Sequence, residues 1–158
     1  KSQNISLVIM GVDFGYQDEM LKLISILKLD DVVVVIKNPP RGDVIAAYGQ
    51  SEFLVLPSHW ELSPLVPLES FAFKKPVIST KSHGTPYTVQ DQITGLLVEP
   101  ENPKELSKAM IDLLENKVLR EKLGLAGYEF VHKECNSVSM AENSLSLYQE
   151  IIKNNPNK

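Results

Sequence analysis

The chain has 158 residues, of which 43% are hydrophobic and 23% are charged, and its formal net charge at pH 7 is −4. This length and composition fit one globular domain with a sizeable core and exclude a disordered tail. The negative charge, with no basic cluster larger than Lys74-Lys75, argues against a nucleic-acid-binding surface.

The first part of the chain alternates predicted strands with predicted helices. Residues 5–10 predict a strand, and residues 11–15 predict a tight loop bounded by Gly11 and Gly15. The following helix has four apolar side chains on one face: Met20, Leu21, Ile24 and Leu27. Residues 32–36 are apolar without alternation, which predicts a strand covered on both faces, as in parallel sheets. Residues 37–42 end that strand, and residues 43–50 predict a short helix with three inward side chains: Val44, Ala47 and Tyr48.

Residues 53–56 predict the next strand, and two carboxylates, Glu61 and Glu69, follow it. Pro64 and Pro67 argue against one continuous helix between them, because proline lacks an N–H and is tolerated mainly in the first turn. We therefore expect Glu61 on a loop and Glu69 on a helix that begins near Pro64.

The start of that helix is a candidate anion site. The N–H groups of Leu65 and Val66 have no partner within the helix, and the helix dipole favours a phosphate there. A carboxylate on each side of the phosphate could accept hydrogen bonds from hydroxyl groups. A sugar and a ribose joined by phosphates would offer both.

The remaining strands complete an α/β pattern. Residues 77–79 and 95–98 predict strands, separated by a loop at 82–86 and one helical turn to Gln90. Strands that alternate with helices predict parallel βαβ units in an open, Rossmann-like sheet with helices on both faces. Ligands bind beyond the carboxyl ends of such strands. The loops at 11–15, 37–42, 57–64 and 82–86 are all predicted to lie at that edge.

Three helices are predicted to end the chain. Asn102, Pro103 and Glu105 form a capping pattern before the first apolar stripe: Leu106, Ala109, Met110, Leu113 and Leu114. A second stripe follows, although two glycines weaken its helical pattern: Leu119, Leu123, Ala126 and Phe130. Ser139 and Glu142 predict a capping box for the last helix, with its own stripe: Ala141, Leu145, Tyr148 and Ile152.

Several of these motifs together resemble one family. Pro57-Ser58-x-x-Glu61-x7-Glu69 is followed by Lys75-Pro76-Val77-Ile78, His83-Gly84 and Thr94-Gly95-Leu96-Leu97-Val98. In order and spacing they resemble the C-terminal, donor-binding domain of retaining nucleotide-sugar glycosyltransferases of the GT-B fold (glycosyl transferases group 1). The resemblance extends over nearly the whole chain, so it implies half of a GT-B fold for residues 1–158.

The resemblance also implies roles for individual residues. Glu61 would contact the donor sugar and take part in catalysis, and Glu69 would bind the ribose hydroxyls. Amides of Leu65 and Val66 would hold the diphosphate, with Ser63 and Gly11 also lining the donor site. The loop after the second strand would border the base, which places three residues beside it: Lys37, Asn38 and Pro39.

Three departures from the family pattern affect this reading. Leu62-Ser63-Pro64 stands where many members have Gly-Phe-Gly, and His83-Gly84-Thr85-Pro86-Tyr87 stands where they have Gly-Gly-x-x-Glu. The strand and the Arg/Lys diphosphate clamp that precede this region in the family have no counterpart before Lys1. We therefore expect a fragment that lacks its first strand-helix unit and an N-terminal acceptor domain. By itself, this fragment is expected to be inactive.

The residues alone leave other interpretations open. Surface exposure is the default for His59, His83 and His132, and Trp60 either lines the pocket or packs beneath its loop. Lys74-Lys75 ends a helix, so a turn role is favoured over phosphate contact. No His/Cys/Asp/Glu cluster has metal-ligand spacing, which predicts a metal-independent reaction without a cofactor. Cys135 is expected to be inert.

The predicted function is transfer of a hexose from a UDP- or GDP-sugar to a saccharide or lipid-linked acceptor, with retention. The alternatives are a nucleotide-sugar-binding module without transferase activity, which Leu62-Ser63-Pro64 favours, and a nucleotide-sugar epimerase on the same fold. One cysteine and no apolar run of membrane-spanning length predict a cytoplasmic protein. The resemblance leaves open an association with the inner face of the membrane through a lipid acceptor.

Overall fold

The computed structural model describes residues 5–154, so residues 155–158, expected to follow the last helix, lie outside the described residues. The chain divides into two compact units, Lys1–Ala47 and Tyr48–Lys158. Each unit is described separately below.

The first unit contains a two-stranded parallel ladder. Strand β1 (Leu7–Gly11) pairs with β2 (Val33–Lys37) from Leu7↔Val33 to Gly11↔Lys37. Helix α1 (Gln17–Ile26) connects the two strands, and α2 (Arg41–Gln50) follows β2. The predicted strand–loop–helix order is therefore confirmed.

The prediction that the second strand is covered on both faces is wrong. Val33, Val35 and Ile36 are half-buried, whereas Val34 is 49% exposed. Along α1, Met20 and Ile24 are half-buried, but Leu21 and Leu27 are exposed. An apolar run predicts a buried strand only where further elements cover both faces, and within the described residues no residue of β2 is buried.

The second unit is built on a three-stranded parallel sheet with the order β3-β4-β5. Its strands are β3 (Leu54–Leu56), β4 (Val77–Thr80) and β5 (Gly95–Val98), and all four residues of β4 are buried. The connecting helices are α3 (Val66–Ala72) and α4 (Thr85–Thr88). Three longer helices follow: α5 (Pro103–Glu115), α6 (Lys117–Glu134) and α7 (Ser137–Asn154).

Two hydrophobic clusters fill the second unit. Neighbouring residues of β4 supply one cluster each, since successive side chains of a strand point to opposite faces. Ile78 joins the larger cluster, whose other buried members are Leu96, Val98, Ala109, Leu113 and Leu123. Val77 packs with Phe71 and Val89. Helices therefore cover both faces of this sheet, as predicted.

Two glycines let α6 approach α3 and the turn that follows it. A Cβ on Gly124 would lie 2.1 Å from the carbonyl oxygen of Lys74, and a Cβ on Gly127 would lie 2.4 Å from the Phe71 ring. These positions weakened the helical pattern in the sequence, yet α6 continues through them because packing requires their small size.

The predicted cap of α5 is confirmed. The N–H of Glu105 donates to Oδ1 of Asn102 at 3.1 Å, and the stripe from Leu106 to Leu114 is buried or half-buried. The predicted capping box of α7 is wrong, because this helix begins at Ser137, three residues before the start at Met140 that a cap at Ser139 requires. Asn136 caps it by accepting from the N–H groups of Val138 and Ser139, each at 3.0 Å. No residue of α7 is buried, so its predicted stripe is exposed.

The strands of the described residues form two sheets instead of one. No hydrogen-bonded ladder joins β1 to β3 within residues 5–154. Among residues 5–154, none of the helices is both long enough and apolar enough to cross a membrane.

Candidate functional site

The loop that follows β3 is held by buried hydroxyl groups. The β3–β4 ladder ends at Leu56↔Ser79, and Ser79 Oγ donates to the carbonyl oxygen of Leu56 at 2.8 Å. Beyond it, Thr80 donates to the carbonyl of Ser58, and Ser82 donates to that of His59 at 2.9 Å. All three hydroxyl side chains are buried. They extend the contact between the two strands after the backbone ladder ends and fix the path of the loop toward Glu61.

Glu61 lies on this loop, as predicted, and is half-buried. Its carbonyl oxygen accepts a hydrogen bond from the N–H of Gly84 at 2.8 Å. A Cβ on Gly84 would lie 1.5 Å from the carbonyl oxygen of Leu62, so only glycine fits against the loop. The His83-Gly84 motif and the Glu61 loop therefore form one backbone unit.

Helix α3 carries Glu69 in its first turn. The helix begins at Val66, two residues after Pro64 and so close to the predicted start, with Leu65 at the N-cap position and Pro67 in the first turn. The N–H of Glu69 donates to the carbonyl oxygen of Leu65 at 3.0 Å, so Glu69 is already inside the hydrogen-bonded helix.

The Glu69 carboxylate is held by a side chain that the sequence did not single out as a site residue. Tyr48 donates its hydroxyl to Oε2 of Glu69 at 2.9 Å. Tyr48 is buried and Glu69 is half-buried. A charge-assisted hydrogen bond of this kind restricts the orientation of the carboxylate.

The residues between the two carboxylates form an exposed approach to the helix start. Ser63 and Leu65 are exposed, whereas Pro64 and Pro67 are buried and anchor the segment. The first N–H groups of a helix lack partners within it, and Pro67 contributes none. The predicted site residues Glu61, Ser63, Leu65, Val66 and Glu69 all lie within residues 61–69 of the second unit. Such a helix start can bind an anion.

Aromatic side chains flank the Glu61 loop. Trp60 is 60% exposed, and its ring centroid lies 6.0 Å from that of His83. The alternative in which Trp60 packs beneath the loop is therefore wrong. His83 has a φ of +37°, which is uncommon for a residue other than glycine. His59 lies beside Glu101, with 3.3 Å between Nδ1 and Oε1.

Three of the candidates in the first unit come together at the ends of β1 and β2. Gly11 and Lys37 are partners in the ladder, and the N–H of Asn38 donates to the carbonyl oxygen of Gly11 at 2.9 Å. Asn38 has a φ of +49°, while Pro39 is half-buried. Of the two glycines predicted to serve the turn, Gly15 has a φ of +101°, whereas Gly11 belongs to the strand. Contact of these residues with a base stays a prediction.

Asp13 organises the loop that leads into α1. Its Oδ1 accepts from the N–H groups of Gly15 at 2.8 Å and of Tyr16 and Gln17 at 3.2 Å. Its Oδ2 lies 3.4 Å from Nζ of Lys37. The hydrogen bond from Gly15, followed by those from Gln17 and Lys37, lowers the pKa of Asp13 below its ordinary value despite some desolvation.

Sequence reasoning missed the groups that hold the site in place. Asp13, two residues before a glycine, had a usable signal, because Asp accepts from backbone N–H groups two residues on. The hydroxyls of Ser79, Thr80 and Ser82 and the phenol of Tyr48 had none. Their partners are 21–23 residues away in the chain, so only the folded structure identifies them.

Neither of two cavities in the second unit includes the predicted site residues. One, of about 640 Å³, is lined by Asp112, Glu115, Asn116, Lys117, Val118 and Leu119. The other, of about 160 Å³, is lined by Glu52, Lys74, Lys75, Pro76, Lys117, Arg120 and Glu121. Residues 5–154 contain no group of three or more His, Cys, Asp or Glu side chains arranged to hold a metal ion.

Known glycosyltransferases are similar to this chain in sequence and in fold. The family model for glycosyl transferases group 1 matches residues 1–130. An uncharacterized glycosyltransferase of Methanocaldococcus jannaschii is 39% identical over 92 residues, which cover 58% of this chain and 26% of that protein. The chain thus spans about a quarter of this relative.

Solved structures agree with that match. A glycosyltransferase from Rickettsia africae is 27% identical, with a TM-score of 0.83 over 98% of this chain and 42% of that one. Anabaena HepE, solved in complex with UDP-glucose, shares the fold at 19% identity, with a TM-score of 0.81 over 92% of this chain and 41% of that one. Sequence and fold lead to the same assignment: the chain belongs to the glycosyl transferases group 1 family, with the GT-B type of α/β fold.

Proposed function

We propose that this chain is the donor-binding domain of a longer glycosyltransferase, which moves a sugar from a nucleotide diphosphate to an acceptor with retention. Membership in the family supports this proposal, as does the chain's limited coverage of its relatives, between a quarter and under half in the matches above. In the proposal, an N-terminal domain binds a saccharide or lipid-linked acceptor. The reaction uses neither a metal nor a cofactor.

The observation that carries the proposal is the position of Glu69. Glu69 lies in the first turn of α3, and its carboxylate accepts a hydrogen bond from the hydroxyl of the buried Tyr48. In the proposal Glu69 accepts hydrogen bonds from the ribose hydroxyls, while the amides of Leu65 and Val66 bind the diphosphate, with Ser63 beside them. As the bond between the sugar and the diphosphate breaks, the leaving group gains charge, which these amides stabilise.

Glu61 is proposed to orient the donor sugar. The hydroxyls of Ser79, Thr80 and Ser82 restrain its loop, and the Gly84 N–H fixes its backbone. A restrained loop suits catalysis, because a carboxylate must be held to within a fraction of an ångström of the reacting group. The backbone of Leu62, in the departing segment Leu62-Ser63-Pro64, packs directly against Gly84.

UDP-sugars are the first donors to test, since UDP-glucose is bound in the structure of Anabaena HepE; GDP-sugars come next. Calorimetry on the full-length protein should show that Glu69→Ala weakens donor binding by about tenfold or more, the loss expected when a hydrogen-bonded charged group is removed. Glu129→Ala is the matched control, because Glu129 is exposed on α6, and it should bind the donor like the wild type. Unchanged binding by Glu69→Ala would exclude the ribose role.

The product identifies the reaction. Incubation with a labelled UDP-sugar and candidate acceptors should yield a glycoside whose anomeric configuration, read by NMR coupling constants, matches that of the donor. Inversion would contradict retention. Free epimerised sugar or epimerised donor would support the epimerase instead, and binding without turnover under all acceptor conditions would support the binding module.

A further inference from the structure

Tyr48 is a buried side chain whose contacts fix the orientation of its hydroxyl. Its side chain comes from α2, its hydroxyl reaches Oε2 of Glu69 at 2.9 Å, and the residue is only 7% exposed. The partners are 21 residues apart, so the hydrogen bond joins two helices of the chain.

The Tyr48 ring is fixed from its other side. It stacks on Phe73 with 6.0 Å between the ring centroids and 22° between the ring planes. Phe73 itself lies in the turn that ends α3, where Lys74 has a φ of +59° and donates to Phe71, and Lys75 donates to Ser70 at 3.1 Å. This is a Schellman turn. Phe73, at the C-terminal end of α3, therefore fixes the Tyr48 ring, and the Tyr48 hydroxyl binds the Glu69 carboxylate near the N-terminal end of the same helix.

We propose that Tyr48 is the positioning residue for nucleotide ribose: by donating to Oε2 it orients the Glu69 carboxylate toward the ribose diol. The inference rests on the proposed function, because Glu69 must bind ribose. A carboxylate on a freely rotating side chain loses conformational entropy when it binds a diol, and a carboxylate that is already oriented loses less. Tyr48 would therefore raise affinity for nucleotides that carry both ribose hydroxyls. It would contribute nothing to nucleotides that lack them.

The experiment measures dissociation constants of UDP and of 2′,3′-dideoxy-UDP, with the GDP pair used in the same way if UDP does not bind. The full-length wild type is compared with Tyr48→Phe, Glu69→Gln and the double variant. Tyr48→Phe keeps the ring and its stacking on Phe73, so the fold should persist, as checked by thermal melting. Tyr128→Phe is the control, because the Tyr128 ring contacts the ring of His132 in α6 of the same unit, with 4.1 Å between the ring centroids and 53° between the ring planes.

We expect Tyr48→Phe to weaken UDP binding by about threefold to tenfold, the cost of ordering one side chain on binding, and to change dideoxy-UDP binding by less than about twofold on the same reasoning. The double variant should bind UDP no more weakly than Glu69→Gln alone, because Tyr48 acts through Glu69. Tyr128→Phe should leave both constants unchanged.

Two outcomes would overturn the inference alone. One is equal weakening of UDP and dideoxy-UDP by Tyr48→Phe, which is what a purely structural role predicts. The other is a ribose preference that Glu69→Gln abolishes and Tyr48→Phe leaves intact. If the wild type binds neither UDP nor GDP, or if Glu69→Gln keeps the ribose preference, the role of Glu69 in the proposed function fails as well.

Discussion

Gly84 illustrates how one backbone position controls the candidate site. Its N–H donates to the carbonyl of Glu61, and the space where a side chain would begin is occupied by the carbonyl oxygen of Leu62, 1.5 Å away. The opposing atom belongs to the backbone, so no change of rotamer can relieve the contact. A glycine at this position is therefore required by the course of the Glu61 loop.

Gly84→Ala should destabilise the protein by about 1–3 kcal/mol, toward the upper end of the cost of overpacking, and should also weaken donor binding because the loop must move. Urea denaturation and calorimetry provide the two measurements. Gly42→Ala is the matched control, since a Cβ there meets nothing within 4 Å. It should stabilise α2 by about 0.5–1 kcal/mol. Equal effects of the two substitutions would contradict the steric account.

Asp13 predicts a dependence of stability on pH. Its pKa is lowered in the folded protein, chiefly by the hydrogen bond from Gly15. A carboxyl whose pKa is lower when folded stabilises the protein above its unfolded value of about 3.9, and that contribution is lost as the pH falls through the folded value. The free-energy difference between wild type and Asp13→Asn should thus be constant near neutrality and decline in acid below about pH 4. A difference that does not change with pH would show that the charge is irrelevant.

At the scale of elements, the close packing of α6 against α3 and the turn that follows it depends on two glycines, Gly124 and Gly127, that face different kinds of group. Gly124 faces the backbone carbonyl of Lys74, and Gly127 faces the ring of Phe71. A side chain can be shortened to make room, whereas a carbonyl cannot. The two glycines should therefore respond differently to a compensating substitution.

Gly124→Ala and Gly127→Ala should each cost about 1–3 kcal/mol in the free energy of unfolding. Combined with Phe71→Leu, which removes part of the ring, Gly127→Ala should become less costly than it is alone. Gly124→Ala should show no such rescue. The coupling energies from a double-mutant cycle in urea measure this, and rescue of both or of neither would contradict the assignment of the contacts.

The whole molecule shows an uneven distribution of its core. Both hydrophobic clusters lie in the second unit, whereas among residues 5–47 no residue is buried. Val8, Val34 and Leu7 on the two-stranded ladder are 47%, 49% and 38% exposed. Burial of apolar surface is the main stabilising term in folding, so within this chain the ladder of β1 and β2 gains little stabilisation from burial.

Amide hydrogen exchange should reveal this difference. In this chain, amides of β1 and β2 should exchange at least about tenfold faster than those of β4 and β5, because local opening requires less free energy where few apolar contacts are lost. Exchange followed by mass spectrometry with peptide resolution is sufficient. Equal protection of the two ladders would contradict the expected difference.

Sequence patterns predicted much of this fold correctly. Short apolar runs identified five strands, and the Asn102 and Glu105 spacing located the start of α5. The predicted start of α7 was wrong because a second residue near the predicted cap could also cap the helix. Ser139 and Glu142 satisfied the capping pattern, but Asn136 caps the helix three residues earlier by accepting from the N–H groups of Val138 and Ser139.

The sequence by itself determined the family, the strand order along the chain and the placement of Glu61 on a loop and Glu69 on a helix. These depend on local spacing, on proline and on motifs that can be read in order. Only the tertiary structure decided that Tyr48 holds Glu69, that hydroxyls of β4 and the following loop pin the Glu61 loop, and that Gly84 touches Leu62. Each of these contacts joins residues about 21–23 apart. A contact at that distance depends on how the chain folds back on itself, which no local pattern records.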